Sequence, residues 1–213
     1  MRELRQEYSD ENHDLILEEF GCNSSRADVA VINGALHAFE IKSDSDTLER
    51  LYAQVEAYKG VFQYVTLVCG ERLLESARKV IPRWWGLQRA QHNNGKVVLI
   101  TIRKSKKNPT QDASALARML WKTEALTVLR KYGHSIVTSR SPAEDVVQAV
   151  AKCIPVHLLS DEVRYAIKAR GGSGFAKRSS LDDDLYTTES IARQNHLLDL
   201  SWLLSPQYQH PPD

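Results

Sequence analysis

Cysteine is scarce in this chain: 213 residues contain three, at positions 22, 69 and 153. The number is odd and the spacing pairs none of them, so neither a disulfide framework nor a thiolate zinc site is expected, and free thiols in a reducing cytosol are. The seven histidines form no HxxxH pair, which argues against a zinc hydrolase. No apolar run approaches the roughly 20 residues that span a bilayer. The first residues, MetArgGluLeuArgGlnGluTyr, lack a signal-peptide core. A soluble, cytoplasmic protein without a membrane partner is therefore expected. An excess of one charge is missing too. Lys and Arg number 28 against 27 Asp and Glu, a formal net charge of +1, so no global field draws the chain to nucleic acid and any such footprint must be a local patch. There is no internal repeat. The GlyGlySerGly run at 171–174 has neither the preceding strand nor the Lys-Ser/Thr of a phosphate-binding loop, and reads as a flexible connector.

What is present begins with two strand-like segments, 26–32 and 35–42, around Asn33-Gly34. Asn-Gly between β-branched and aromatic runs is a strong hairpin signal, because both residues tolerate positive φ. An even two-residue loop would put Asp28 and Glu40 on opposite faces. The side chains favour an odd loop: Val29 and Val31 match Phe39 and Ile41 as an apolar face, and Asp28 and Ala30 match Ala38, Glu40 and Lys42 as a small, charged one. A three-residue turn through Ile32, Asn33 and Gly34, with Gly34 in the left-handed region of a bulge, pairs 31 with 35 and brings Asp28, Glu40 and Lys42 to one face.

Two carboxylates on one pleated face can bind Mg²⁺ and leave coordination sites for water and a phosphate. Such an ion lowers the pKa of a bound water and polarises the scissile phosphate, and a neighbouring lysine can orient the water or neutralise developing charge. The ordinary alternative is a cross-strand ion pair on a solvated sheet face. Glu-x-Lys is a weak signal alone, but this is its single occurrence in the chain, at the end of an apolar strand with Asp at matching parity.

Downstream, Asp46-Thr47-Leu48-Glu49 reads as a capping box opening a helix with a buried stripe of Leu48, Leu51, Val55 and Tyr58, closed by Gly60. Arg50, Gln54 and Tyr58 share a second face that can present polar groups to the charged side of the hairpin. Capping is the simpler role for at least one of Asp44 and Asp46, which could be mistaken for metal ligands. A buried strand at 62–69, a short helix at 71–80 and a strand at 96–102 after an Asn93-Asn94-Gly95 turn follow. Trp84-Trp85 reads as packing rather than a base-stacking platform. Charge, Pro and polar residues at 103–111 mark a boundary, and Arg103, Lys104, Lys106 and Lys107 read first as a charged linker and second as a phosphate-tracking run. Beyond it the periodicity predicts one amphipathic helix from Leu116 through Tyr132, a second after Pro142, a third around Val163 and Ile167, and a fourth over 191–203, before a disordered Pro-rich tail at 205–213. With 42% hydrophobic residues, the chain can bury one sizeable core plus a helical subdomain.

ArgAlaAsp, AsnGly, GluIleLys and the following SerAspSerAspThrLeuGluArgLeu, with Gln54 and Tyr58, resemble the PD-(D/E)xK, or restriction-endonuclease-like, nuclease superfamily. Residues 16–86, including ProArgTrpTrpGly at 82–86, resemble a bacterial family within it. The resemblance implies an α/β fold: a restriction-endonuclease-like core of mixed β-sheet flanked by helices over 1–105, with a helical C-terminal region at 112–204. It implies Asp28 and Glu40 as ligands of Mg²⁺, which Mn²⁺ can replace, Lys42 as catalytic lysine, and Gln54 and Tyr58 in support. An upstream carboxylate, Glu18 or, by preference, Glu19, would join the metal site. The implied activity is phosphodiester hydrolysis with nucleic acid, DNA first, as the partner, in a chain that could work as a homodimer or beside another protein. Two rivals remain: a non-catalytic or partner-dependent DNA-binding module on the same fold, and a protein-interaction component docking through its helices.

Overall fold

The computed structural model describes residues 15–93 and 95–171. The chain runs through strands β1 (Leu15–Cys22), β2 (Ser25–Ile32) and β3 (Leu36–Lys42), helix α1 (Leu51–Lys59), strand β4 (Tyr64–Cys69), and helix α2 (Leu74–Val80), which a 3-10 turn at Glu71–Leu73 introduces. Strands β5 (Gly86–Asn93) and β6 (Lys96–Arg103) form a hairpin, followed by helices α3 (Ala113–Ala117), α4 (Lys122–Lys131), α5 (Ala143–Cys153) and α6 (Val156–Ala169). The six strands form one sheet in chain order. It is mixed: β1, β2 and β3 are an antiparallel meander, β4 and β5 add in parallel, and β6 returns antiparallel. Parallel neighbours need a crossover rather than a tight turn, and α1 and α2 provide the two required. The fold is thus α/β, a mixed sheet with helices and a helical C-terminal region.

The alternation read in the sequence sorts the two sheet faces. Val29, Val31, Phe39 and Val68 form a small apolar cluster on one. Ala30, Ile32, Leu36, Ala38, Val65 and Leu67 lie on the other, in the main core with Leu51, Val55 and Tyr58 of α1. That core continues without a break into Leu116, Leu129, Val150, Leu159 and Ile167 of the C-terminal helices. Among the described residues, no helix is long and apolar enough to cross a membrane.

Several local expectations are corrected. The hairpin loop is odd, but it is Asn33-Gly34-Ala35: Ile32 pairs with Leu36 and Val31 with His37. Gly34 is not among the residues with positive φ. The Asn33 side chain accepts from Ala35 N at 3.0 Å, and this Asx-type closure shapes the turn without a left-handed glycine. Helix α1 begins at Leu51, with Arg50 in the cap position and no side-chain cap. Asp46 does not open it, because its Oδ2 accepts from Ser43 N at 2.6 Å and Ser43 Oγ at 2.8 Å and closes a turn in the approach loop. Asp44 does meet a helix start, the one after β4, accepting from Arg72 N at 3.0 Å. The predicted helix from 116 through 132 is two, α3 and α4, broken before Trp121, whose N–H donates to Glu124 Oε2 at 2.7 Å. Strands β1 and β5 had no counterpart in the sequence reading. Both carry polar residues at half-buried or exposed positions, so pairing rather than pattern makes them strands. The predicted helix at 191–203 and the tail at 205–213 lie outside the described residues.

The 103–111 segment is stitched down despite its linker-like composition. Asn108 is 5% exposed; its Nδ2 donates to Lys59 O and Phe62 O at 2.7 and 2.8 Å, and its Oδ1 accepts from Thr110 N and Oγ1. Gln111 Nε2 reaches Val61 O at 2.7 Å and Ser160 Oγ at 3.3 Å. These bonds fasten the end of α1 to the entry of the helical region, where Gly60 lets the backbones close: a Cβ there would lie 2.8 Å from Ala115 Cβ. Asn108→Ala leaves two buried carbonyls unpaired and should lower unfolding free energy by about 2–4 kcal/mol, read from urea denaturation. A midpoint matching wild type would show that the clip carries no stability.

Candidate active site

Residues Asp28, Glu40 and Lys42 meet where the β2–β3 ladder ends. The paired residues run from Ile32↔Leu36 to Val29↔Phe39. One step beyond, Ile41 N donates to Asp28 Oδ2 at 2.6 Å, so a side-chain carboxylate takes the place of a strand carbonyl. Glu40 and Lys42, two residues apart on β3, project to the same face. Glu40 is 0% exposed and Lys42 7%. A solvated surface ion pair is therefore not what the sheet presents.

A buried carboxylate is tolerated when its lone pairs are occupied. Glu40 Oε1 accepts from Lys42 Nζ and from Gln54 Nε2, both at 2.5 Å, and Oε2 accepts from Tyr58 OH at 2.6 Å. Helix α1 brings Gln54 and Tyr58 to this face from one turn apart. Tyr58 OH also lies 2.7 Å from Arg26 O, so its single proton serves two acceptors. Burial first, and then the charge of Glu40, push the phenol's pKa up and keep it a donor. The ring stacks on buried Trp85, centroids 5.9 Å apart and 11° between planes. Trp85 was read as packing, and so it is, but the packing positions a site residue; no sequence signal joined it to Tyr58.

Asp28 is electrostatically exposed to its neighbours. Burial, then the charge of Glu40, push its carboxyl up to about 7 from an ordinary 3.8, against the pull of the Ile41 N–H and Lys42. Glu19 adds a smaller push of the same sign. The β1–β2 ladder pairs Glu18 with Val29 and Phe20 with Ala27, passing over Glu19 and Asp28. Glu18 thus shares the face of Val29, away from the site, and Glu19 is the upstream carboxylate nearest Asp28. Glu19 is held at φ 52, an uncommon conformation for a non-glycine residue. Its Oε2 meets Arg26 Nε at 2.5 Å. Among the described residues, no group of three or more His, Cys, Asp or Glu is placed to hold a metal ion.

The donor set nevertheless fits a cation held by two carboxylates. Asp28 is poised near neutrality, and Gln54 Oε1 is buried with no hydrogen-bond partner. That amide cannot simply be turned over, because its Nε2 is needed by Glu40. An orphaned acceptor on the amide that holds buried Glu40 is the environment that a hard cation or its bound water relieves. Cys22 is buried beside these groups, and burial, then Glu40, push its thiol up to about 12, so it packs rather than reacts.

Comparison with known proteins shows the family. A model of the family described as "Bacteriophage P4 protein cII" matches residues 2–186. The chain belongs to the bacteriophage P4 protein cII family. Protein cII of Enterobacteria phage P4 is 33% identical over 147 residues, which cover 69% of this chain and 55% of the relative. The chain thus spans about half the length of this curated relative. A solved structure, the SPO1766 protein of unknown function from Silicibacter pomeroyi, is similar at 18% identity with a TM-score of 0.33, covering 59% of this chain and 86% of that one. That likeness is too slight to carry an argument about fold or function.

The Asp28 shift sets a pH dependence. A carboxyl whose pKa is higher folded than unfolded contributes stability that is present below the unfolded value and lost as pH rises through the folded one. In metal-free buffer, wild type should therefore lose stability relative to Asp28→Asn as pH rises from about 4 to about 7. Urea midpoints of both proteins across this range check it. A constant difference between them would remove Asp28 as the titrating group.

Proposed function

We propose that this chain is a metal-dependent nuclease built on a restriction-endonuclease-like core, hydrolysing phosphodiester bonds in DNA. The observation that carries this reading is the convergence of Asp28, Glu40 and Lys42 on one sheet face, with Gln54 and Tyr58 of the following helix fastened to Glu40. A meander followed by a helix and a parallel strand, β1 through β4, is the order that such a core requires. Asp28 and Glu40 would hold Mg²⁺, or Mn²⁺ in its place. When bound, the ion supplies Lewis acidity and charge for the scissile phosphate.

The chain's own residues do the rest. Lys42, on the buried face beside Glu40, would orient a water and neutralise charge that develops on the phosphate oxygens. Tyr58 and Gln54 fix the Glu40 rotamer, and Trp85 fixes Tyr58, so the carboxylate keeps its direction when substrate enters. Glu19 and Arg26, paired and exposed, would offer one charge of each sign to an arriving phosphate.

One observation favours a second reading. Glu40 already accepts from Lys42, Gln54 and Tyr58, a network of three donors on about four acceptor sites that would also suit a module that binds DNA without cutting it, or that cuts with a partner. Incubation of supercoiled plasmid, linear duplex and single-stranded DNA with Mg²⁺ or Mn²⁺ separates the two. Cleavage by wild type should fall by at least about 100-fold in Glu40→Ala and in Lys42→Ala. Binding without cleavage by folded wild type would favour the second reading, and cleavage that survives Glu40→Ala would displace the site.

A further inference from the structure

Three separate basic segments converge at the base of the β5–β6 hairpin. Arg103, at the end of β6, donates from Nε to Trp85 O at 2.8 Å and from Nη2 to Pro82 O at 3.1 Å. Lys106 N donates to Trp84 O at 2.8 Å. Gly86 sits against Ser105, where a Cβ would be 3.0 Å from Ser105 N. These contacts lay the 103–107 segment along the 82–86 loop. The last turn of α2 adds Arg78 and Lys79, and Arg78 is near enough for its charge, after burial, to lower the pKa of Arg103.

Lys79, Arg83, Lys104 and Lys106 are all exposed, and none of them forms an ion pair among the described residues. Among the described residues, Glu75 pairs with Arg78. Arg103 has carbonyls as partners, so its charge also stands uncompensated. A chain of net charge +1 therefore keeps a local group of cations here without paired acids among the described residues. Half-buried Trp84 lies among them.

We propose that the surface formed by Lys79, Arg83, Lys104 and Lys106 docks the phosphate backbone of a nucleic acid. Charge complementarity selects a polyanion. A second copy of this chain is disfavoured: Val98 and Ile102 are exposed on the β6 edge at 41% and 43%, but an antiparallel pair of such edges would set Lys96 of one copy against Arg103 and Lys104 of the other. The choice of nucleic acid over another polyanion rests on the nuclease reading. The patch then supplies affinity away from the carboxylates, whose own field repels phosphate.

The test is binding of a fluorescent duplex to the full chain, by anisotropy, in EDTA so that no cleavage occurs, over roughly 50 mM to 200 mM salt. The triple variant Lys79→Gln, Lys104→Gln, Lys106→Gln should bind at least about tenfold more weakly, and its log–log salt slope should be shallower by about 2–3. Lys122→Gln with Lys152→Gln, on the C-terminal helices, should bind as wild type does. Equal affinity and slope for wild type and the triple variant would overturn the proposal, as would equal loss in the control. Polyglutamate or anionic vesicles bound with the same dependence on these lysines, and duplex not, would overturn it in favour of an acidic protein or a membrane. Wild type with Mg²⁺ keeps the two readings apart: lysine-dependent duplex binding by a folded wild type that never cleaves sinks the nuclease and leaves the patch, whereas cleavage with binding indifferent to these lysines sinks the patch and leaves the nuclease.

Discussion

The burial of Glu40 is the constraint on which the rest of the site depends. A carboxylate with no exposed surface is stable only while donors surround it, and here they come from its own strand and from the next helix in the chain. Lys42 alone would leave Oε2 open; Gln54 and Tyr58 close the set. Each donor is itself held. Tyr58 leans on Trp85, and the loop that carries Trp85 is fixed by the Arg103 guanidinium on its carbonyls. A residue at the far edge of the sheet thereby helps set the direction of a carboxylate on β3.

The same arrangement separates two kinds of charge. The face with Asp28 and Glu40 lies at the meander, where strand pairing lapses and side chains replace backbone partners. The uncompensated cations lie at the base of the β5–β6 hairpin. On the proposed reading, acid is concentrated where a cation would be held, and cations lie elsewhere to keep a polyanion near that acid. A near-neutral total is the natural result of such a division and conceals it.

The helical region is part of the same packing. Its apolar residues are continuous with the sheet core, Asn108 and Gln111 sew the connection, and Arg164 of α6 donates to Asn33 O at 3.2 Å in the β2–β3 turn. The turn that sets the register of the site strands is thus touched by the last described helix. Membership of the phage P4 protein cII family extends across both regions, in keeping with a unit whose parts share one core.

Parity was legible in the sequence because it is local. Val29 and Val31 against Phe39 and Ile41 admit one way of burying an apolar face, and this alone puts Asp28, Glu40 and Lys42 together whichever residues make the turn. The spacing of Gln54 and Tyr58 on a helix was legible for the same reason. The turn residues, the true start of α1 and the break at Trp121 were not, since each was decided by a side-chain bond to a particular backbone group, and Asn33, Asp46 and Glu124 had several such groups within reach. Strands β1 and β5 lack a pattern of their own and exist through their neighbours. Only the tertiary structure decided that Glu40 is buried, that Trp85 supports Tyr58, that Glu19 turns to Arg26, and that the segment after β6 lies along the 82–86 loop. Residues distant in sequence meet through packing of the whole chain, and no periodicity within one segment records which partners they will find.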